Sequence, residues 1–439
     1  MRFTSLKLAN LRAIETAEFR FQPGFNLIVG VNGVGKSTIL DALRICASRI
    51  LPSITESRAK AMTFTVDDIR TGLPFLDAEL SLAIGHDEFR FTRRQWRQSF
   101  AADDTENLDH LRREILNSER LADRARTLLR ELEGSHGVSD SDAYVPSLAN
   151  LKKAARSTAI APNCIYYSTN RSVASNASTS NSRAAGDRLA AYAEALAPRP
   201  MYVAQFGAWM RVQKVLGGER VAAMRHLEVL QSAITRFLPS YANLRPGEES
   251  ASPLVISKGG ITLDVSQLSD GERGVLALVL DLARRLSQAN PSLADPLADG
   301  DAVVLIDEID LHLHPKWQRQ IVRNLTATFP RCQFIATTHS PQVIGEVEHG
   351  RIQIIADGKV YSPTHSFGVD SSRVLEEIMD TNQRAHEIDE LLSQISKAIG
   401  NQRYGSARNL LLQLIRKIGE DDPEVTRIRT LLEFMEGEQ

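Results

Sequence analysis

Eight consecutive residues, Gly30-Val31-Asn32-Gly33-Val34-Gly35-Lys36-Ser37, match G-x-x-x-x-G-K-[ST], the spacing of a loop that wraps phosphate groups. Around Asn32, the glycines Gly33 and Gly35 let backbone N–H groups turn inward toward phosphate oxygens. Lys36 offers a point charge to the β- and γ-phosphates and Ser37 a hydroxyl to Mg²⁺. The helix start that follows, where Thr38 lies, adds its dipole. Far along the chain, the apolar run Ala302–Ile306 ends in Asp307-Glu308. Asp307 suits the Mg²⁺ shell, usually through water, and Glu308 is placed to orient and polarise an attacking water. A further apolar run, Gln333–Thr338, ends in His339-Ser340-Pro341. A lone histidine is more often structural, but one at a strand end behind a Thr-Thr pair can reach a γ-phosphate.

These groups need elements to hold them. Phe25–Val29 is a compact apolar run ending at Gly30, and Thr38–Ile50 carries Ile39, Leu40, Leu43 and Ile45 at helical spacing. The glycine loop therefore stands between a strand and a helix, as the pattern requires. Phe3–Leu8, Ala17–Phe21, Leu76–Ile84, Glu88–Arg94, Leu254–Ile256 and Gly260–Val265 read as further strands, and Glu272–Gln288 and Lys316–Phe329 as helices. Ile352–Ile355 and Lys359–Tyr361 form a hairpin about Asp357-Gly358.

The middle of the chain has a different character. Asn107–Glu133 is charge-rich, lacks Gly and Pro, and repeats apolar residues from Leu108 to Leu132 at 3-4 spacing, broken by Ser118. That predicts an amphipathic helix, either a short coiled-coil arm or a long helix lying on its own domain. Ala174–Gly186 is a Ser/Asn/Ala tract expected as a loop. Met201–Val215 and Val221–Leu238 read as helices, the second stopped by Pro239. From Arg384 onward three amphipathic helices follow, one of them beginning at Asp421-Asp422-Pro423. They either pack on the core or form a docking platform.

The net charge of −2 gives no global field toward nucleic acid or anionic lipid, although a local basic groove stays open. Cys46, Cys164 and Cys332 lie far apart, which fits a reducing compartment better than a disulfide framework or a zinc site. No run reaches the ~18 apolar residues of a membrane span, and the N-terminus lacks a signal-peptide core. A cytoplasmic protein without a membrane partner is expected.

Leu268-Ser269-Asp270-Gly271-Glu272 resembles the ABC signature LSGGQ/E, with Asp270 in place of the first glycine. With the phosphate loop, the acidic pair and His339, it stands in the order found in ABC-type ATPases. Leu8-Ala9-Asn10-Leu11-Arg12 resembles the "NFR" strand end of the SMC/RecF/OLD branch. The stretches Leu305–Pro315, Ser366–Asp389 and Gly419–Glu424 look most like the Septu (PtuA-type) and retron-associated defence ATPases. The resemblance implies an α/β fold: an ABC-type head with a mixed sheet flanked by helices, a helical insertion and a C-terminal helical tail. Its parts would be 1–100 and 251–370 for the two head lobes, 101–250 for the insertion and 371–439 for the tail. It implies ATP and Mg²⁺ as ligands, with Arg12 at the nucleotide. It also implies head-to-head pairing in which Ser269, Gly271 and Glu272 of one copy face Gly30–Thr38 of another.

Two departures matter. No equivalent of the transporter-type glutamine is evident, Asp67-Asp68 being the nearest substitute. His314 stands where the SMC branch has an aspartate, which points to slow hydrolysis or to ATP acting as a sensed ligand. His312 and His314 beside Pro315 have no third ligand nearby and do not suit a metal site. The sequence carries no recognisable TOPRIM, HNH or PD-(D/E)xK arrangement. The resemblance then implies as partners further copies of the chain and a separate HNH-type nuclease, with nucleic acid reached through that nuclease. A second reading is a RecF-like repair ATPase that binds duplex DNA itself, which would need a basic stripe on the head.

Overall fold

The structure is a computed structural model. It describes residues 1–31, 33–98, 100–101, 109, 113, 137–138, 140–169, 188–200, 203–218, 221–248, 254–356, 358–377, 379 and 384–437. Apart from residues 109 and 113, the helix expected over Asn107–Glu133 lies outside this set, as does the loop expected over Ala174–Gly186. The chain divides into two compact units, Met1–Gly368 and Val369–Gln439.

The first unit opens with β1 (Arg2–Leu11), β2 (Ile14–Arg20), β3 (Phe25–Val29), α1 (Lys36–Ile54), β4 (Phe75–Ile84) and β5 (Asp87–Trp96). There follow β6 (Phe100–Ala101), β7 (Gly137–Val138), β8 (Ser141–Val145), α2 (Leu148–Ser157), β9 (Cys164–Tyr167), α3 (Arg188–Tyr192), α4 (Val203–Leu216) and α5 (Val221–Phe237). It continues with β10 (Tyr241–Arg245), β11 (Val255–Lys258), β12 (Ile261–Asp264), α6 (Asp270–Ala289), α7 (Pro296–Asp299) and β13 (Val303–Ile306). It closes with α8 (Pro315–Thr328), β14 (Gln333–Thr338), α9 (Pro341–Ile344), β15 (Ile352–Ala356) and β16 (Lys359–Tyr361).

Two sheets dominate. One is antiparallel, in the order β2-β1-β4-β5-β8. Along β5 the buried Phe89 and Phe91 alternate with the exposed Glu88 and Arg90, the period-2 pattern of a sheet with one covered face. The other runs β16-β15-β3-β14-β13-β9, parallel except for the β15–β16 hairpin. Its strands β3, β13 and β9 are buried at every position, as expected where both faces are covered. Helix α1 lies between the sheets: Ile39, Leu43 and Ala47 share one core with Leu6, Leu80 and Phe91 of the first and Ile28, Leu305 and Ile335 of the second.

Strands β8 and β9 fall inside the span expected to be mainly helical, yet each joins one of the two main sheets. A four-residue apolar run such as Cys164–Tyr167 cannot be assigned by periodicity alone; its pairing with β13 makes it a strand. A buried charge cluster ties this span to α6. Asp281 accepts from Arg285 (2.7 Å), Arg284 (2.6 Å) and the Tyr167 hydroxyl (3.2 Å), while Arg285 also donates to the carbonyls of Ala191 and Ala193. Burial works to raise the Asp281 carboxyl, but the surrounding arginines hold it far below the usual range. All three cysteines are buried free thiols, and burial pushes Cys46 up to about 12.

The second unit contains α10 (Ser371–Glu377), α11 (His386–Gly400), α12 (Tyr404–Ile418) and α13 (Pro423–Gly437). The last three bury Leu391, Ile395, Leu411, Leu414, Ile428 and Leu432 against one another, so the amphipathic faces form a core of their own. Asp422 accepts from the Glu424 N–H at 2.9 Å at the start of α13 and takes a forked pair of bonds from Arg384 at 3.0 and 2.9 Å. Among the described residues no helix is long and apolar enough to cross a membrane.

Candidate active site

In the second sheet β3 pairs with β14 and β14 with β13, all parallel. Their C-terminal ends therefore emerge along one edge, and from that edge issue the phosphate loop, His339 and Asp307-Glu308. Ligands of parallel α/β sheets bind at this edge because the connecting loops and helix starts gather there.

The loop itself is backbone-determined. Gly33 and Gly35 have φ of +86° and +101°, the left-handed region that favours glycine. A Cβ on Gly30 would stand 2.7 Å from the Ile355 carbonyl oxygen, so this glycine is required for close approach. Asn32 lies outside the described residues. Lys36 is 6% exposed, and its Nζ folds back over the loop, donating to the carbonyls of Gly30 (2.8 Å) and Val31 (3.0 Å). Burial lowers its ammonium, opposed by the nearby Glu308, Asp307 and Asp310 carboxylates. Ser37, one residue on, is exposed.

Arg12 reaches this helix start. Its guanidinium donates to the Thr38 hydroxyl (3.0 Å) and to Asp68 (2.9 Å). The carboxylate considered as a substitute for the glutamine is thus engaged with Arg12. Burial works to raise the Asp68 carboxyl, but bonds from Thr65 and Arg12 outweigh it and hold it below the usual range.

The acid loop is held from β14. Thr337 donates to Asp307 Oδ1 (2.6 Å) and accepts the Glu308 N–H (2.7 Å); Thr338 donates to Asp310 (2.5 Å). Asp307 is 5% exposed. Glu308 has φ +47° and His312 φ +61°, conformations that non-glycine residues rarely adopt. His339 is half-buried. Burial and the Lys36 charge lower its imidazole below the ordinary value, which favours the neutral form. The Ser37 hydroxyl and Asp307 carboxylate form an oxygen-only donor set, which fits a hard cation such as Mg²⁺. The buried lysine in a glycine loop fits polyphosphate. His314 is the N-cap of α8, its Nδ1 accepting the Lys316 N–H at 3.3 Å.

Ser269 caps α6 and is exposed. Its hydroxyl donates to Glu272 Oε2 (2.9 Å), while Glu272 Oε1 takes the Tyr241 hydroxyl (2.5 Å) and Lys258 Nζ (2.6 Å). Asp270 pairs with Arg273. Both acids of this first turn are therefore matched by cations. Gly271 is needed for packing: a Cβ there would stand 2.4 Å from the His312 carbonyl oxygen. The sequence pattern singles out Ser269, Gly271 and Glu272 as candidates but not Lys258, Tyr241 or the Asp68 bond to Arg12, since those bonds cross elements and leave no local pattern. For Thr337 and Thr338 the signal was present, as two hydroxyls following the apolar Phe334–Ala336 at a strand end.

Residues 25–345 match the family described as "AAA domain, putative AbiEii toxin, Type IV TA system". The chain belongs to this AAA ATPase family. It is 39% identical over 212 residues to "Retron Ec83 probable ATPase" of Escherichia coli, covering 47% of this chain and 39% of that protein. It is 36% identical over 95 residues to "Septu protein PtuA" of Bacillus mycoides, covering 22% of this chain and 13% of that one. This AAA ATPase thus spans well under half the length of either relative. Among solved structures, the SMC head domain from Thermotoga maritima overlays with a TM-score of 0.44 at 16% identity, over 82% of this chain and 98% of that one.

Proposed function

We propose that this chain binds ATP with Mg²⁺, hydrolyses it, and through ATP-dependent head-to-head pairing controls a separate HNH-type nuclease in a bacterial anti-phage defence system in the cytoplasm. The observation that carries the reading is the meeting of phosphate loop, Asp307-Glu308 and His339 at one edge of three adjacent parallel strands. The retron and Septu relatives support the defence setting. The proposed parts are head lobes 1–100 and 251–370, an insertion 101–250 and a tail 371–439.

Backbone N–H groups around Asn32, Gly33 and Gly35 bind phosphate oxygens, and Lys36 swings from its own carbonyls to the β- and γ-phosphates. Arg12 and Thr38 support the phosphate side of the loop. Ser37 and Asp307 hold Mg²⁺, which neutralises phosphate charge when bound. Glu308 polarises the attacking water, and His339 donates an N–H toward the γ-phosphate. From a second copy, Ser269, Gly271 and Glu272 complete the site.

Lys36→Ala should weaken ATP binding at least about tenfold, since the phosphates lose a charged partner. Deleting Arg384–Gln439 should abolish co-purification with the nuclease and spare ATP binding, because that segment has its own core. Calorimetry with ATP and a pull-down on the same proteins provide both readouts. Unchanged ATP affinity in Lys36→Ala would sink the nucleotide assignment. Nuclease retained by the truncated chain would move the docking surface elsewhere, and DNA cleavage by the chain alone would overturn the division of roles.

A further inference from the structure

Strand β14, Gln333–Thr338, is buried along its whole length and apolar through Phe334, Ile335 and Ala336. It ends in two threonines that are both 0% exposed. A buried hydroxyl is costly unless hydrogen-bonded, whereas valine has nearly the same shape and suits a buried strand better. Packing alone therefore does not call for these hydroxyls. What they bond to is the acid loop. Thr337 Oγ1 donates to Asp307 Oδ1 at 2.6 Å and accepts the Glu308 N–H at 2.7 Å. The Thr337 carbonyl accepts the Ile309 N–H at 2.9 Å. The next residue, Thr338, donates to Asp310 Oδ1 at 2.5 Å and accepts the Ser340 N–H at 3.0 Å.

One oxygen atom thus joins the side chain of Asp307 to the backbone of Glu308. That backbone is in the left-handed region, φ +47°, which a non-glycine residue holds only where its surroundings impose it. The hydroxyl has a single proton. Giving it to Asp307 Oδ1 leaves its lone pairs for the Glu308 N–H, so the two bonds polarise one another.

We propose that Thr337 is a positioning residue for hydrolysis: its hydroxyl fixes Glu308 relative to Asp307, and so aims the water-polarising carboxylate at the phosphate held by the loop. This rests on the ATPase reading above. Thr337 is fully buried, and it acts through the two carboxylate residues that its hydroxyl bonds. Its loss moves Glu308 without removing any phosphate ligand, so turnover suffers and binding does not.

The test is steady-state ATP hydrolysis by the full chain with Mg²⁺, with ATP affinity measured separately in the absence of turnover. Thr337→Val should lower kcat about 10- to 100-fold, the scale of a displacement near 1 Å, with KM and ATP affinity within about twofold of the parent. Thr337→Ser, which keeps the hydroxyl and drops the methyl, should recover most of the rate. A Thr337→Val protein with parental kcat overturns the proposal. So does Thr337→Ser as impaired as Thr337→Ala, which would make the methyl packing the cause and which also decides the matter if the valine variant fails to fold. A parent with no turnover removes the ATPase reading and this inference together, and that result is visible before any variant is compared.

Discussion

The phosphate-loop edge and the Ser269 helix start are built in opposite ways. At the first, Lys36 and Asp307 are buried to 6% and 5% exposure and held by backbone carbonyls and a buried hydroxyl. At the second, Ser269 is exposed and is aimed by a chain of side chains, from Lys258 and Tyr241 through Glu272. The groups that hold Lys36 and Asp307 at the first end all lie within the one chain. The exposed Ser269, held by a side-chain clamp, stands at a helix start open to solvent. On the proposed function, binding and chemistry belong to the first end and association to the second.

The largest expected effect is at the buried end. Glu308→Gln should keep ATP binding while turnover falls roughly 10²-fold or more, as for loss of a positioned base, and should accumulate an ATP-bound pair of chains in light scattering. Loss of ATP binding in this variant would break the division, since Glu308 would then be a ligand for the ground state.

At the exposed end the effect should be smaller and confined to association. Bonds from Lys258, Tyr241 and Ser269 hold the Glu272 carboxyl down to about 2 against the pull of burial, so the clamp is charged throughout the physiological range. Lys258→Met, made in the Glu308→Gln background, should weaken ATP-dependent pairing several-fold, on the scale of a partly exposed charged hydrogen bond. Monomer affinity for ATP, measured by dilution below the pairing range, should stay at the parental value. Pairing as tight as the parent's would leave the clamp an ordinary helix cap.

The smallest effect concerns pH. Burial and Lys36 hold the His339 imidazole below its ordinary value, so the neutral form persists as pH falls through 6.5 and is lost only further down. Turnover should change by less than about twofold between pH 7.5 and 6.5 on this account, and any acid limb removed by His339→Gln should have its midpoint below 6.5. A midpoint above 6.5 that disappears in His339→Gln would show His339 stabilised in its charged form, and the buried edge would need redrawing.

Much of the edge was legible in the sequence because its signals are contiguous. Phe25–Val29 has the same bounds in sequence and structure, and the glycine loop, Asp307-Glu308 and His339 lie at the ends of short apolar runs that can only be buried strands or helix cores. The order of Leu268–Glu272 before Asp307 was likewise readable, as was the helix start at Pro423, where an acidic cap precedes a proline. The three tail helices were legible from their periodicity, but not that they bury their apolar stripes on each other.

What the sequence determined by itself is the set of local chemistries: a backbone turn that needs glycine, a lysine and serine one residue apart, two carboxylates after an apolar run. These depend on neighbours within a few positions, where spacing and conformational preference act directly. Only tertiary structure decided the rest. Cys164–Tyr167 became a core strand because β13 offered it a ladder. Asp68 became the anchor of Arg12 across 56 positions of chain, and Gly271 became indispensable because the His312 backbone passes 2.4 Å from where its Cβ would stand. Each of these is a contact between residues distant in sequence, fixed by hydrogen bonding and close packing, and neither force leaves a periodic trace along the chain.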